Sequence, residues 1–284
     1  MTPNAREIRR SLEVRIAELE TELGQLRAAL VALTAGPGML TSDHATRENA
    51  PRGAATATGA DRPIPHAIVR IYERWDAEGR RAQAAAVWQR DRWIAAMPDH
   101  ARMLRDLPNR LDRSIVRQRV RDVPAPTRGM FEAMVIVYAW GWSVTSVGVT
   151  RAQSALEAGT ERLGSALLAA REALRLGGPL DGYKALAGPH RVKGLGPSFG
   201  SKFLYFASPQ DNRALILDQL VVDWLAREAA LSLNATRWSA RTYAAYLSAM
   251  DAWSSGLGIS SHELEEIIFT DEATRRGLAT WSAR

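Results

Sequence analysis

Two stretches of the sequence combine residue types and spacings suited to chemistry on a phosphate-bearing substrate. The first reads Lys193-Gly194-Leu195-Gly196-Pro197-Ser198 and runs into an apolar segment, Phe199 to Ala207. Two glycines let a turn approach an anion without Cβ atoms in the way, and a helix starting after them offers unpaired N–H groups and a positive dipole end. Lys193 adds charge beside the turn, and Ser198 adds a hydroxyl. The same Gly-x-Gly pattern also serves as an ordinary tight turn between helices. The second stretch is the apolar run Ala214-Leu215-Ile216-Leu217 followed by Asp218, twenty residues after Ser198. An aspartate entering a helix commonly caps it, and that position favours its charged form. Beside a sugar, the same carboxylate stabilises a developing cation or orients water onto it. Lys202 lies one helical turn beyond Ser198 on the same face, so its amine reaches toward the same place; the plainer reading is a solvated helix residue.

Composition narrows the chemistry. Cysteine is absent from the 284 residues, which removes disulfides, thiolate nucleophiles and cysteine-ligated metals. The five histidines are scattered, so neither a metal site nor a cofactor is expected. The net charge of +6 favours a polyanionic partner. Lys184, Lys193 and Lys202 are the only lysines in an otherwise arginine-based chain, and all fall in a nineteen-residue window. A compact or deprotonatable amine is something guanidinium cannot supply. Nine tryptophans are present, and Trp140-Gly141-Trp142 sits where an apolar pattern breaks. Trp142, Phe203 and, on a later helix, Trp253 or Met250 are candidates to line a pocket for a planar group, although aromatics on apolar helices more often fill a core.

The elements that must position these residues read as helices. Residues 1–35 carry Leu12, Ile16, Leu19, Leu23, Leu26, Leu30 and Leu33 at heptad spacing, which predicts a coiled-coil helix that pairs with another copy, with a partner protein or with the body of the chain, a homodimer being the first choice. Residues 36–64 are small, polar and turn-prone, as a flexible linker is. Residues 65–284 show apolar positions at helical spacing, punctuated by Pro and Gly. They predict helices over about 65–78, 80–97, 110–120, 127–140, 151–175, 180–187, 198–207, 218–231, 239–254 and 261–269. Trp142 to Thr150 is β-branched on alternate positions but has no partner strand, and is assigned to a helix start or loop. Eight arginines between Arg102 and Arg128 form either a solvated face or a shelf for phosphates. No stretch is long and apolar enough for a membrane span, and no secretory signal is visible, so a cytoplasmic location without membrane contact is expected.

Short helix, Lys-Gly-Leu-Gly-Pro-Ser hairpin, helix, loop, apolar run and Asp218, in that order, resemble the helix-hairpin-helix DNA glycosylase superfamily, most closely its 8-oxoguanine glycosylase-like branch. The likeness is specific over about residues 180–225 and architectural over 65–179 and 226–284. It implies an all-α, two-lobed fold with the base pocket between the lobes. It also implies double-stranded DNA as partner, base flipping, and a catalytic aspartate at Asp218. Lys193, Gly194, Gly196 and Ser198 would hold the DNA backbone. Bifunctional members carry a nucleophilic lysine second after the hairpin's last glycine, where this chain has Ser198. Serine forms no Schiff base, so either the enzyme is monofunctional, with Asp218 activating water and leaving an abasic site, or Lys202 is a displaced nucleophile.

The resemblance includes prokaryotic proteins of antiviral defence that excise glucosylated hydroxymethylcytosine from phage DNA. The serine at 198 and the added coil are more similar to that branch than to a housekeeping enzyme. The leading expectation is therefore excision of a modified base of that kind. The alternatives are an 8-oxoguanine repair glycosylase with abasic-site lyase activity, and a non-catalytic DNA-binding module that keeps only the hairpin.

Overall fold

The computed structural model describes residues 63–123, 127–142, 148–209 and 213–278. The coil at 1–35, and all of the 36–64 linker except Pro63 and Ile64, lie outside the described residues. The chain is all-α: twelve helices and one two-stranded ribbon are described. They run α1 (His66–Ala77), β1 (Ala86–Val87), α2 (Arg90–Ala96), α3 (Ala101–Arg105), β2 (Arg110–Leu111), α4 (Arg113–Asp122), α5 (Thr127–Gly141) and α6 (Gly148–Leu156). There follow α7 (Gly159–Gly177), α8 (Pro179–Ala187), α9 (Pro197–Ala207), α10 (Gln219–Glu228), α11 (Ala240–Leu257) and α12 (Ser261–Arg275).

Helix α5 is apolar on every side, with Met130, Phe131 and the unbroken run Ala133 to Trp140 all buried. A helix of that kind belongs inside a bundle rather than on its surface, and α4, α6, α7 and α9 pack around it. Helix α7 pairs with α8 across Gly178, and Pro179 opens α8 at a position where its missing N–H costs nothing. A second set, α1, α10, α11 and α12, packs around α12. The sets meet where α11 contacts α8 and along the segment joining α9 to α10.

That segment positions Asp218. Ala214 to Leu217 run extended with no strand beside them, and all four are at most 2% exposed. Buried backbone without a ladder must find partners elsewhere, and here side-chain hydroxyls supply them. The Ala214 N–H donates to Ser208 Oγ (2.8 Å) and the Leu217 N–H to Ser201 Oγ (3.0 Å). The Tyr243 hydroxyl accepts from Leu215 N–H (3.1 Å) and donates to Leu215 carbonyl oxygen (2.9 Å), while the Tyr246 hydroxyl donates to the Ile216 carbonyl (3.0 Å). Burial pushes both phenols well above their ordinary pKa, which keeps them as donors.

Two expected helices differ. Over 80–97 the chain leaves α1 through Gly79 and Arg80, both at positive φ, and continues extended. Ala86 pairs with Leu111 and Val87 with Arg110, antiparallel, before α2 begins at Arg90. The alanine-rich run offers helix propensity but few side chains large enough to fix one against a core, and tertiary pairing prevails. The expected helix 151–175 is two helices, α6 and α7, divided by Gly159 at φ +83°. Of Trp142 to Thr150, residues 143–147 lie outside the described residues, and Gly148 to Thr150 open α6.

Replacing Tyr243 by phenylalanine strands two buried backbone groups at once. Urea unfolding is expected to show a loss of about 2–4 kcal/mol; Tyr246→Phe, which strands one, is expected to lose about half as much.

Candidate active site

Helices α9 and α10 begin close together, and their first residues make the site. The hairpin before α9 is built on Gly194, at φ +84°, where a Cβ would stand 2.6 Å from the Ser154 carbonyl oxygen and 2.7 Å from the Ala155 nitrogen in α6. Only glycine meets both demands. Gly196 is different: it is the N-cap residue of α9 with ordinary φ, and a Cβ there would point into open space. Trp238 fixes the turn by donating from its indole nitrogen to the Leu195 carbonyl (3.2 Å). Helix α9 has no side-chain cap, because glycine has no side chain to fold back and Pro197 follows it. Helices α4, α10, α11 and α12, in contrast, are capped by Asp112, Asp218, Ser239 and Ser260. The N–H groups that α9 leaves uncapped, with exposed Lys193 beside them, suit a phosphate oxygen.

Asp218 uses both carboxylate oxygens. Oδ1 accepts from the N–H groups of Leu220 (3.1 Å) and Val221 (3.2 Å), which makes it the cap of α10. Oδ2 faces Lys202 Nζ at 3.0 Å. Lys202 Nζ also donates to Ser198 Oγ, at 3.1 Å. The amine therefore sits beside the side chain of Ser198, although it springs from the next turn of α9. Both partners are nearly enclosed, with 7% of the lysine side chain and 11% of the aspartate side chain exposed. A charge pair this far from water holds together through its geometry and its extra hydrogen bonds.

Aromatic rings gather beside the amine. Lys202 Nζ lies 5.1 Å from the centre of the Phe199 ring. Phe199 stacks on Trp142 (5.3 Å, 26°) and leans on Tyr138 (4.5 Å). Trp142 in turn has the Arg151 guanidinium 5.4 Å from its centre. Of the pocket aromatics expected from sequence, Trp142 thus joins the Lys202 neighbourhood. Phe203 and Met250 are fully buried. Trp253, 1% exposed, donates to the Pro63 carbonyl (3.1 Å) and so fastens the chain that leads into α1. Phe199 was not singled out by sequence, although its place directly after Ser198 is the signal for it. Lys184, first of the three lysines, pairs with Asp181 on its own helix (2.9 Å).

A family described as "Putative 8-oxoguanine DNA glycosylase OGG-like protein" matches residues 79–269. The chain belongs to this OGG-like family of DNA glycosylases. No curated protein and no solved structure matches it. The match spans the hairpin, Lys202, Asp218 and the helices that carry them, and makes DNA the substrate class of the OGG-like chain. Among the described residues no helix is long and apolar enough to cross a membrane, and no three His, Asp or Glu side chains converge as metal ligands.

The two hairpin glycines are expected to respond differently to alanine. Gly194→Ala forces both a strained φ and a clash with α6 backbone, and thermal or urea unfolding should show a loss of about 2–4 kcal/mol. Gly196→Ala should stay within about 1 kcal/mol of the parent.

Proposed function

We propose that the OGG-like chain is a monofunctional DNA glycosylase that everts a modified base and hydrolyses its glycosidic bond. The observation that supports this reading is the Ser198–Lys202–Asp218 cluster, set one helical turn from an uncapped helix N-terminus. The hairpin amides and Lys193 hold a backbone phosphate, and the everted nucleotide places its sugar toward Asp218. As the bond from C1′ to the base nitrogen breaks, its electron pair leaves with the base and positive charge gathers on the sugar. Asp218, in a site almost free of water, opposes that charge more strongly than a solvated carboxylate does. Water then bonds to C1′, one of its protons passes to the departing base, and an abasic site remains. Phe199 and Trp142 provide apolar faces for the base.

Lys202 is assigned to electrostatics and positioning rather than to attack. Its amine is a donor to two acceptors at once, whereas a nucleophile needs a free lone pair. One observation favours a second reading: the amine lies at Ser198, the position from which bifunctional relatives extend their lysine, so attack on the sugar and strand cleavage would need only a change of partner. For the base itself, glucosylated hydroxymethylcytosine of phage DNA, in an antiviral role, is the leading substrate, carried by the serine at 198 and the N-terminal coil. The family description favours 8-oxoguanine as the competing base.

Abasic sites are to be scored after incubation with phage DNA bearing plain, hydroxymethylated and glucosylated cytosine, and with duplexes containing 8-oxoguanine. The expected result is release from glucosylated DNA. Asp218→Asn should lower release by at least about a hundredfold while DNA affinity stays within a few-fold; unchanged release in that variant ends the mechanism. Borohydride should trap no adduct with the wild type; a trapped adduct that disappears in Lys202→Ala would establish the lyase reading instead.

A further inference from the structure

Beyond the Lys202–Asp218 pair, α9 continues to Tyr205, and two arginines lie against its ring. Arg113 and Arg117, from α4, lie 5.1 and 4.7 Å from the ring centre. Burial, and after it the charge of Arg213 at the start of the buried run to Asp218, depress the proton affinity of both Arg117 and His262. Their fates differ. Arg113 is buried and forms a two-pronged pair with Glu265, at 2.6 and 3.2 Å. Arg117 and Arg213 are only half-buried, and among the described residues neither forms an ion pair with a carboxylate, although Arg117 donates a hydrogen bond to the Tyr205 hydroxyl. The Nε of Arg213 is sealed from solvent and hydrogen-bonds to nothing.

Among the described residues, the neighbouring acids are engaged elsewhere. Glu263 is spent on the Ser260 capping box, Glu265 on Arg113, and Glu266 on the Gln83 N–H and Arg113. His262 adds no negative charge, and burial with the three arginines holds its pKa down at about 4. Two like charges, partly desolvated and without a counter-charge among the described residues, oppose folding unless an anion joins them. Such an arrangement is a receptor for a group with several anionic oxygens, which guanidinium donors match in geometry.

The placement says which anion. Gly196, at the mouth of α9, precedes Lys202, and Tyr205 follows it by three residues, about one turn. From hairpin to Tyr205 is about 13 Å along the helix, with the Lys202–Asp218 pair between. We propose that Arg117, over the Tyr205 ring, and Arg213 hold a second DNA phosphate, on the opposite side of the Lys202–Asp218 pair from the glycine hairpin. The proposal rests on the DNA-binding reading of the hairpin. Two grips on either side of the acid leave the nucleotide between them free to turn out of the stack while its flanks stay anchored.

The test is the salt dependence of DNA binding by the full chain, read by fluorescence anisotropy on a duplex containing an abasic-site analogue. Each of Arg117→Met and Arg213→Met should reduce the slope of log K against log salt by about one unit, and the double variant by about two. Each single change should weaken binding about tenfold near 0.1 M salt. Arg213→Lys, which keeps the charge, should keep the slope. Melting temperatures of the methionine variants should equal or exceed the parent's, because a repulsion has been removed, and inorganic sulfate should stabilise the parent more than the double variant. A double variant with parental slope and affinity overturns the proposal, as does one that changes only which base is released, since the cluster would then read the base. If the wild type releases no base from any DNA and the slope still falls, the glycosylase reading fails and this one stands; if base is released and the slope is unmoved, this one fails alone.

Discussion

Four hydroxyl groups hold the catalytic candidate in place. The run from Ala214 to Leu217 is extended, solitary and buried, a combination that ordinarily leaves peptide groups without partners. Ser201 on α9, Ser208 just after it, and Tyr243 and Tyr246 on α11 take those partners' place. The run is thereby suspended between two helices, and its last residue, Asp218, arrives at the start of α10 with its direction already decided. The meeting of Asp218 with Lys202 follows, because Ser201 and Lys202 are neighbours on the same helix. A residue that fixes the run and a residue that faces its end differ by one position in the chain.

Much of this was legible beforehand. The hairpin, α9, the apolar run and the helix after Asp218 all lie where glycine, proline and apolar spacing put them, and Asp218 does cap α10. These are local features, set by backbone conformation and by residues a few positions apart. The proximity of Lys202 to Ser198 was also readable, since one helical turn separates them. Contacts decided by distant segments were not readable. Tyr243 and Tyr246 sit three residues apart on α11, a spacing that suggests a face but not what it touches. The pairing of Arg113 with Glu265 joins α4 to α12, and nothing in either segment names the other. The arginine run from Arg102 to Arg128 illustrates the limit: its members look alike in sequence, yet Arg113 is buried against a glutamate while Arg128 sits exposed beside Glu132.

The errors have a common cause as well. Residues 80–97 and 151–175 both carry helix-favouring composition, and both were read as longer helices than the chain forms. In the first, Gly79 and Arg80 at positive φ turn the chain away from α1 and a two-residue ribbon replaces the helix; in the second, Gly159 breaks it. Propensity is a weak preference summed over a window, and a single glycine at positive φ outweighs it.

The contact between Gly194 and the backbone of Ser154 and Ala155 has a mechanical consequence. Because no side chain intervenes, there is no rotamer to absorb relative movement, and the turn and the last stretch of α6 are obliged to shift as one body. Any bending that accompanies the arrival of a ligand must then be taken up elsewhere in the chain, and a spectroscopic label placed on α6 would report the motion of the hairpin without touching it.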